Sequence, residues 1–336
     1  MKQRGFRYCS VCKHKLQKWG KTKAGTPRWR CPNCISTGTR TRPDLAKALL
    51  LERFVAWLLG KQSQEELGMS ARTWRKQTEW CWQVVPKPVV SGEVYPILLL
   101  DGIRVGSLVC LIARTPQYVV AWAWVPYEAG TTWDKLLEQL PPPIVAVCDG
   151  QKGILVSIPR NWPTTAVQRC HFHVWQNVRT KLTLFPKTEA GKHLLLLTKI
   201  LLKGLYTRQD AQQWQAKLIA WEEVYGDFIR ERSYVDNPKP GRRKWRYTHE
   251  RLRSAYRQLT KLLKDDQLFT YLDEQLLLQT DQAIPRTTNH VEGGINSQLR
   301  TKLKLHRGMS EEHQRRLVEW YLYTRTEEPK PTRNCR

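Results

Sequence analysis

The sequence predicts an α/β core interrupted by an all-α insertion, preceded by a small cysteine-bearing ribbon and a pair of short helices. Three observations predict it. The pairs "CSVC" and "CPNC" stand eighteen residues apart near the N-terminus. The runs "PILLLDGIRV" (96–105) and "IVAVCDGQKG" (144–153) each carry the pattern of a buried strand into Asp-Gly. Residues 185–280 hold almost no β-rich run and four segments with helical spacing.

The bulk numbers narrow the function. The chain has 336 residues and 41% hydrophobic content, enough for two or three domains. No apolar run approaches the ~20 residues that span a bilayer, and "MKQRGFRYCS" lacks the apolar core of a signal peptide. A cytoplasmic protein with no membrane partner is expected. Lys plus Arg number 56 against 30 Asp plus Glu, a net charge of +26. Such an excess calls for a polyanionic partner, DNA or RNA before a membrane surface.

In chain order, residues 1–42 read as a zinc ribbon. Cys9, Cys12, Cys31 and Cys34 have the spacing at which two knuckles close a tetrahedral four-thiolate site for one structural Zn²⁺. The metal replaces a core that some forty residues cannot build. Met1 to Pro43 contain twelve Lys or Arg and no Asp or Glu, with Trp19 and Trp29 interleaved. That composition suits phosphates, while a ribbon that only caps the next domain fits the cysteines equally well.

Residues 43–85 read as a helix-turn-helix. Leu45, Leu49, Leu50, Phe54 and Trp57 recur at helical spacing up to Gly60. Ser63 is placed to cap a short helix that Gly68 breaks, and Ser70 to cap a second one. Arg72, Thr73 and Lys76 near the start of that helix would reach base edges in a major groove; the alternative is a packing hairpin with a solvated basic face.

After the linker "VVPKPVVSG", residues 93–184 form the first part of the core. Three β-rich runs in a meander, the helix "TTWDKLLEQL", the strand "PIVAVCD", and the strand "TTAVQRC" with a helix after it make a layer whose central sheet resembles ribonuclease H. In that arrangement the first and fourth strands are parallel neighbours, so Asp101 and Asp149 meet at one end. Two such carboxylates need bridging cations, and hard oxygen ligands select Mg²⁺ or Mn²⁺. Gly102 and Gly150 are read as room for a phosphate beside each acid. Taken singly, either Asp-Gly is also an ordinary strand exit.

Residues 185–285 form the helical insertion. Its basic loop, "NPKPGRRKWRYTH", offers Arg242, Arg243, Lys244 and Trp245 to a nucleic-acid strand, with Trp245 either a stacking platform or a core residue. Residues 286–325 return to the core. There Asn289 and Glu292 satisfy a capping box, while Gly293 and Gly294, costly in a first helical turn, favour close approach to a substrate.

Taken together, "LLLDG", "VCDGQKGI", "QRCHFHVWQN" and "TTNHVEGGINSQLR" resemble the DDE transposases of bacterial insertion sequences, Mutator-like group, from about Tyr95 to Met309. The resemblance implies Asp101, Asp149 and Glu292 as the catalytic acids and ligands of two Mg²⁺ or Mn²⁺ ions. Cys170 and His173 match the family's Cys-x-x-His element and are assigned to active-site support, with His171 a neighbouring alternative. Arg300 in the last motif is counted among the DNA contacts. The implied chemistry is strand cleavage at the element's ends followed by strand transfer, without a covalent protein–DNA intermediate. The implied partners are double-stranded DNA, both terminal inverted repeats and target, and a second copy of the chain on DNA; no small-molecule substrate is expected. The alternatives are a ribonuclease H-fold nuclease or resolvase that cuts without joining, and a catalytically inactive, transposase-derived regulator.

Overall fold

The structure is a computed structural model and describes residues 8–9, 11–23, 25–39, 43–88, 90–234, 244–288 and 294–329. Strands β1 (Gln17–Lys21), β2 (Pro27–Arg30) and β3 (Thr37–Gly38) precede helices α1 (Pro43–Leu59) and α2 (Ala71–Thr78). A second series follows: β4 (Ile97–Val105), β5 (Leu108–Arg114), β6 (Val119–Val125), α3 (Gly130–Leu137), β7 (Val145–Cys148), α4 (Lys152–Asn161), β8 (Ala166–Arg169) and α5 (His171–Leu182). Then come α6 (Glu189–Lys203), α7 (Arg208–Arg230), β9 (Arg232–Tyr234), β10 (Trp245–Tyr247), α8 (Glu250–Lys264), α9 (Glu274–Thr280), α10 (Ile295–Leu305) and α11 (Glu311–Tyr323). Among the described residues no helix is long and apolar enough to cross a membrane. Two compact units result, Met1–Lys87 with Lys302–Arg336, and Pro88–Thr301.

In the first unit β1, β2 and β3 form an antiparallel sheet in that order. Its two knuckles repeat one geometry. Cys9 O accepts from Lys13 N–H at 3.0 Å and Cys31 O from Ile35 N–H at 3.1 Å, with Lys13 and Ile35 both at φ 60°. Cys9 N–H and Cys31 N–H donate to His14 O and Ser36 O. The four cysteines are the one group of potential metal ligands of three or more, among the described residues, whose ligand atoms all lie within 4.8 Å of one another. They fit a structural zinc ion.

The helical part of this unit is built on aromatic side chains. Phe54 and Trp57 of α1 meet Trp74 of α2 and Trp82, with Trp57–Trp74 centroids 5.8 Å apart and Phe54–Trp82 edge-on at 4.8 Å. Between α1 and α2 a 3-10 turn, Glu65–Leu67, ends at Gly68, whose φ of 71° needs glycine. Ser70 Oγ caps α2 by accepting from Thr73 N–H. Ser63 does not cap the turn; its N–H instead donates to Glu66 Oε2 at 3.0 Å.

In the second unit five strands form a mixed sheet in the order β6-β5-β4-β7-β8. The β4–β5 and β5–β6 pairs are antiparallel, and the β4–β7 and β7–β8 pairs parallel. Both faces are covered, which is why β4 and β7 read as continuous apolar runs. Leu98, Leu100 and Ala146 face α3 and α4 through Trp133, Leu136, Ile154 and Ile158. Ile97, Leu99, Val145 and Val147 face Tyr271 and Ile284. The insertion packs α5, α6, α7 and α8 around Val178, Leu194, Trp214, Trp221 and Leu259. It is not wholly helical: β9 and β10 pair as a short antiparallel ribbon, in which Tyr234, Trp245 and Tyr247 supply strand-favouring aromatics.

Candidate active site

The strand register brings Asp101 and Asp149 to one place. β4 and β7 pair in parallel as far as Leu100 opposite Cys148, so Asp101 and Asp149 are the residues that follow the last paired rung. Side chains alternate along a strand. Asp101, inside β4, therefore shares a face with Ile97 and Leu99, and Asp149 leaves the end of β7 directly after Cys148. Asp101 Oδ1 accepts from Gly102 N–H at 2.9 Å and Oδ2 from Asn296 Nδ2 at 2.9 Å. Asp149 Oδ1 accepts from Gln151 N–H at 2.9 Å. Burial, opposed by His173 and reinforced by the charge of Asp149, pushes Asp101 up to about 6.

A third described carboxylate stands here that sequence reasoning missed. Glu128 lies in the turn between β6 and α3, a position with no periodic pattern to expose it. Burial first, then repulsion from Asp149 and Asp101, pushes its pKa up to about 7. Its Oε2 is buried without a hydrogen-bond partner, as is Oδ1 of Asn296. The room assigned to a phosphate beside the two glycines is occupied. A Cβ on Gly102 would lie 2.7 Å from Glu128 Oε1, and one on Gly150 would overlap the Arg169 guanidinium. Arg169 also donates to Asp149 O at 3.0 Å.

Cys170, fully buried, and His173 interact with each other, and His173 feels the charges of both aspartates. Burial would lower His173, but the Cys170 sulfur and the charges of Cys170, Asp101 and Asp149 outweigh it and hold its pKa at about 9. Burial would likewise raise Cys170, yet His173 and Thr288 bring it below the usual thiol range. Thr288 N–H and Oγ1 lie 3.3 and 3.4 Å from Cys170 Sγ. Arg114 donates to Thr288 O at 2.8 Å, and His171 N–H to Arg286 O at 3.0 Å. These bonds pin the segment leading towards Glu292. Glu292 itself, with Asn289 and Gly293, lies outside the described residues. His171 is a core residue: it is fully buried, its Nε2 is 2.7 Å from Leu268 O, and burial brings it down to about 4.

The acids fit hard divalent cations. They are oxygen donors around two orphaned buried oxygens, and like charges so placed call for a counter-cation.

The residues expected to meet DNA are spread over the molecule. Arg72, Thr73 and Lys76 are exposed on α2, opposite buried Trp74 and Thr78. Lys244 is exposed, and Trp245 is half-buried with Arg232 4.2 Å from its ring centroid. Arg242 and Arg243 lie outside the described residues. Arg300 is exposed on α10. A cationic stripe that the sequence reading passed over runs along α8: Arg253, Arg257, Lys261 and Lys264 line a groove of about 940 Å³ with Lys181. Helical spacing of i, i+4, i+8 and i+11 puts the four on one face over roughly 16 Å.

Residues 117–237 match the family described as "Transposase, Mutator family". The chain is also similar to the transposase for insertion sequence element IS6120 of Mycolicibacterium smegmatis, 26% identical over 152 residues. That alignment covers 44% of this chain and 42% of the relative, so the chain spans less than half the length of the relative it matches. The resemblance to Mutator-type insertion-sequence transposases is thereby borne out. The family match contains Asp149, Cys170 and His173, whereas Asp101 and Glu292 lie outside it.

Proposed function

We propose that the chain is a DDE DNA transposase that binds the ends of its insertion sequence and catalyses strand cleavage and strand transfer. The observation that supports this reading is that Asp101 and Asp149 directly follow the last paired residues, Leu100 and Cys148, of parallel neighbours β4 and β7, in a chain similar to Mutator transposases. On this reading the five-stranded sheet is a ribonuclease H-like core, and Glu292 is the third acid, delivered by the segment that Cys170, Arg114 and His171 anchor. Bound Mg²⁺ or Mn²⁺ would supply charge stabilisation for in-line displacement at a phosphodiester.

The chain's own groups do the rest. Asp101, held by Gly102 and Asn296, and Asp149, held by Gln151, present fixed oxygens. His173 places a positive charge beside them, where a phosphate's charge is to be balanced. The helix pair α1–α2 acts as a helix-turn-helix with Arg72, Thr73 and Lys76 towards the major groove. The zinc ribbon, Lys244, Trp245, Arg300 and the α8 stripe contact the DNA backbone. Two ends joined in one reaction require at least a dimer on DNA. The site of action is the bacterial cytoplasm, on the nucleoid.

The test is strand cleavage and joining by the purified protein with Mg²⁺ and the DNA flanking its own gene, beside Glu292→Gln. Joined products that vanish in the variant support a transposase and assign the third acid. Cleavage without joining would indicate a nuclease, and end binding without cleavage in either protein a regulator.

A further inference from the structure

We propose that Glu128 is a further carboxylate ligand of the divalent-cation site formed by Asp101 and Asp149. The inference rests on the metal-dependent phosphodiester chemistry proposed above and adds to it a residue from a different part of the chain.

The geometry around Glu128 is that of a prepared ligand rather than a surface acid. Its carboxylate occupies the hollow left by Gly102, the residue after Asp101, where a Cβ would lie 2.7, 2.9 and 3.1 Å from its Oε1, Cδ and Oε2. Any side chain at 102 would expel it. The turn that carries it is fixed from both sides. Thr132 Oγ1 accepts from Ala129 N–H at 2.9 Å and donates to Tyr127 O at 3.0 Å, so the residues flanking Glu128 are tied to the start of α3. Gly153, at the start of α4 and four residues after Asp149, lets that helix approach Ala129. A Cβ there would stand 2.8 Å from the Ala129 carbonyl carbon. The turn bearing Glu128 is thus packed against the elements bearing both aspartates.

The hydrogen bonding has the matching gap. A structural buried glutamate accepts from donors that satisfy both oxygens. Glu128 Oε2 is buried and makes no hydrogen bond in good geometry; the indole N–H of fully buried Trp133 is close enough to favour its charged form but does not offset the burial and the repulsion from Asp149 and Asp101. A partly buried carboxylate repelled by two aspartates is a group that a shared cation would stabilise. Oxygen donors from rigid elements suit Mg²⁺ or Mn²⁺.

Mn²⁺ titration of the full-length, zinc-loaded protein, followed by the electron paramagnetic resonance of free Mn²⁺, tests the assignment without DNA or turnover. Asp149→Asn and the isosteric Glu128→Gln are each expected to weaken Mn²⁺ binding by about 10–100-fold or more. Thermal unfolding serves as the control for folding. Without Mn²⁺, Glu128→Gln should be at least as stable as the parent at pH 8, since it removes a buried anion, and it should gain less stability on adding Mn²⁺. Parental Mn²⁺ affinity in Glu128→Gln, with binding lost in Asp149→Asn, would overturn the role of Glu128 and leave the aspartate site standing. Parental affinity in both variants would overturn the aspartate site as well.

Discussion

The two candidate metal-binding regions, the cysteine ribbon and the proposed acid site, are built in opposite ways. The ribbon draws its ligands from two four-residue knuckles within 26 residues, and its sulfurs already converge: Cys9 and Cys34 Sγ are 3.4 Å apart, Cys12 and Cys31 Sγ 3.3 Å. The acid site draws Asp101 from the middle of β4, Asp149 from the residue just after β7 and Glu128 from the turn before α3. Its groups do not meet the 4.8 Å spacing that the thiols meet. A ribbon with little apolar core relies on its metal to fold. A core with two buried sheet faces folds by burial and can hold anions apart until a cation joins them.

Three experiments break or sharpen this contrast. The largest effect is expected from Asp149→Asn, which should cut strand cleavage by on the order of 10³-fold or more, about 4 kcal/mol of transition-state stabilisation. Its unfolding midpoint should be no lower than the parent's, because removing one of several crowded anions relieves repulsion. Parental cleavage rates would take Asp149 out of the site.

Cys31→Ser reverses the pattern. Cys31 is fully buried, and its loss should reduce bound zinc from one equivalent to a small fraction, measured by atomic absorption. The ribbon should then unfold while far-ultraviolet circular dichroism retains the helical signal of the rest. Undiminished zinc content would show that the four thiols are not the ligand set.

The smallest effect is electrostatic. Glu128 at about 7 and Asp101 at about 6 lie above their ordinary values of 4.5 and 3.8, so these two groups bind more protons in the folded chain than in the unfolded one between those limits. The contribution of these two acids to stability in the absence of added divalent cation should therefore fall as pH rises from about 4 to about 7, opposed by His171, whose depressed pKa of about 4 makes stability rise over the same range. His173, raised from 6.5 to about 9, adds a further fall that begins only near the top of this window and is common to parent and variant. Urea unfolding at each pH, with Glu128→Gln flattening the upper half of the slope, checks the sign. A profile unaffected by that substitution would remove Glu128 as the source.

Much of this was legible beforehand because local pattern encodes it. Two Cys-x-x-Cys pairs specify a knuckle pair regardless of what surrounds them. The apolar runs ending in Asp101-Gly102 and Asp149-Gly150 announce strands buried on both faces. The Ser70 cap and the Gly68 stop mark α2. Ser63 failed as a cap because the following turn is too short and tight to present the right N–H, and Glu66 supplied the alternative bond. The helical insertion's ribbon escaped notice because strands of three residues leave no period to count.

What the sequence by itself determined is therefore the ligand chemistry and the elements: four thiols at knuckle spacing, two aspartates on apolar strands, a basic surface and a helical insertion. Only the tertiary structure decided which groups share a site. β4 and β7 had to pair at one register before Asp101 and Asp149 followed the same last paired rung, since a shift of one residue would turn one strand's side chains to the opposite face. The fold alone seated the carboxylate of Glu128 in the hollow of Gly102 and set Thr288 against Cys170, 118 residues away in the chain. Contacts at such separations leave no local periodicity, because they are selected by packing of the whole core and not by the residues on either side.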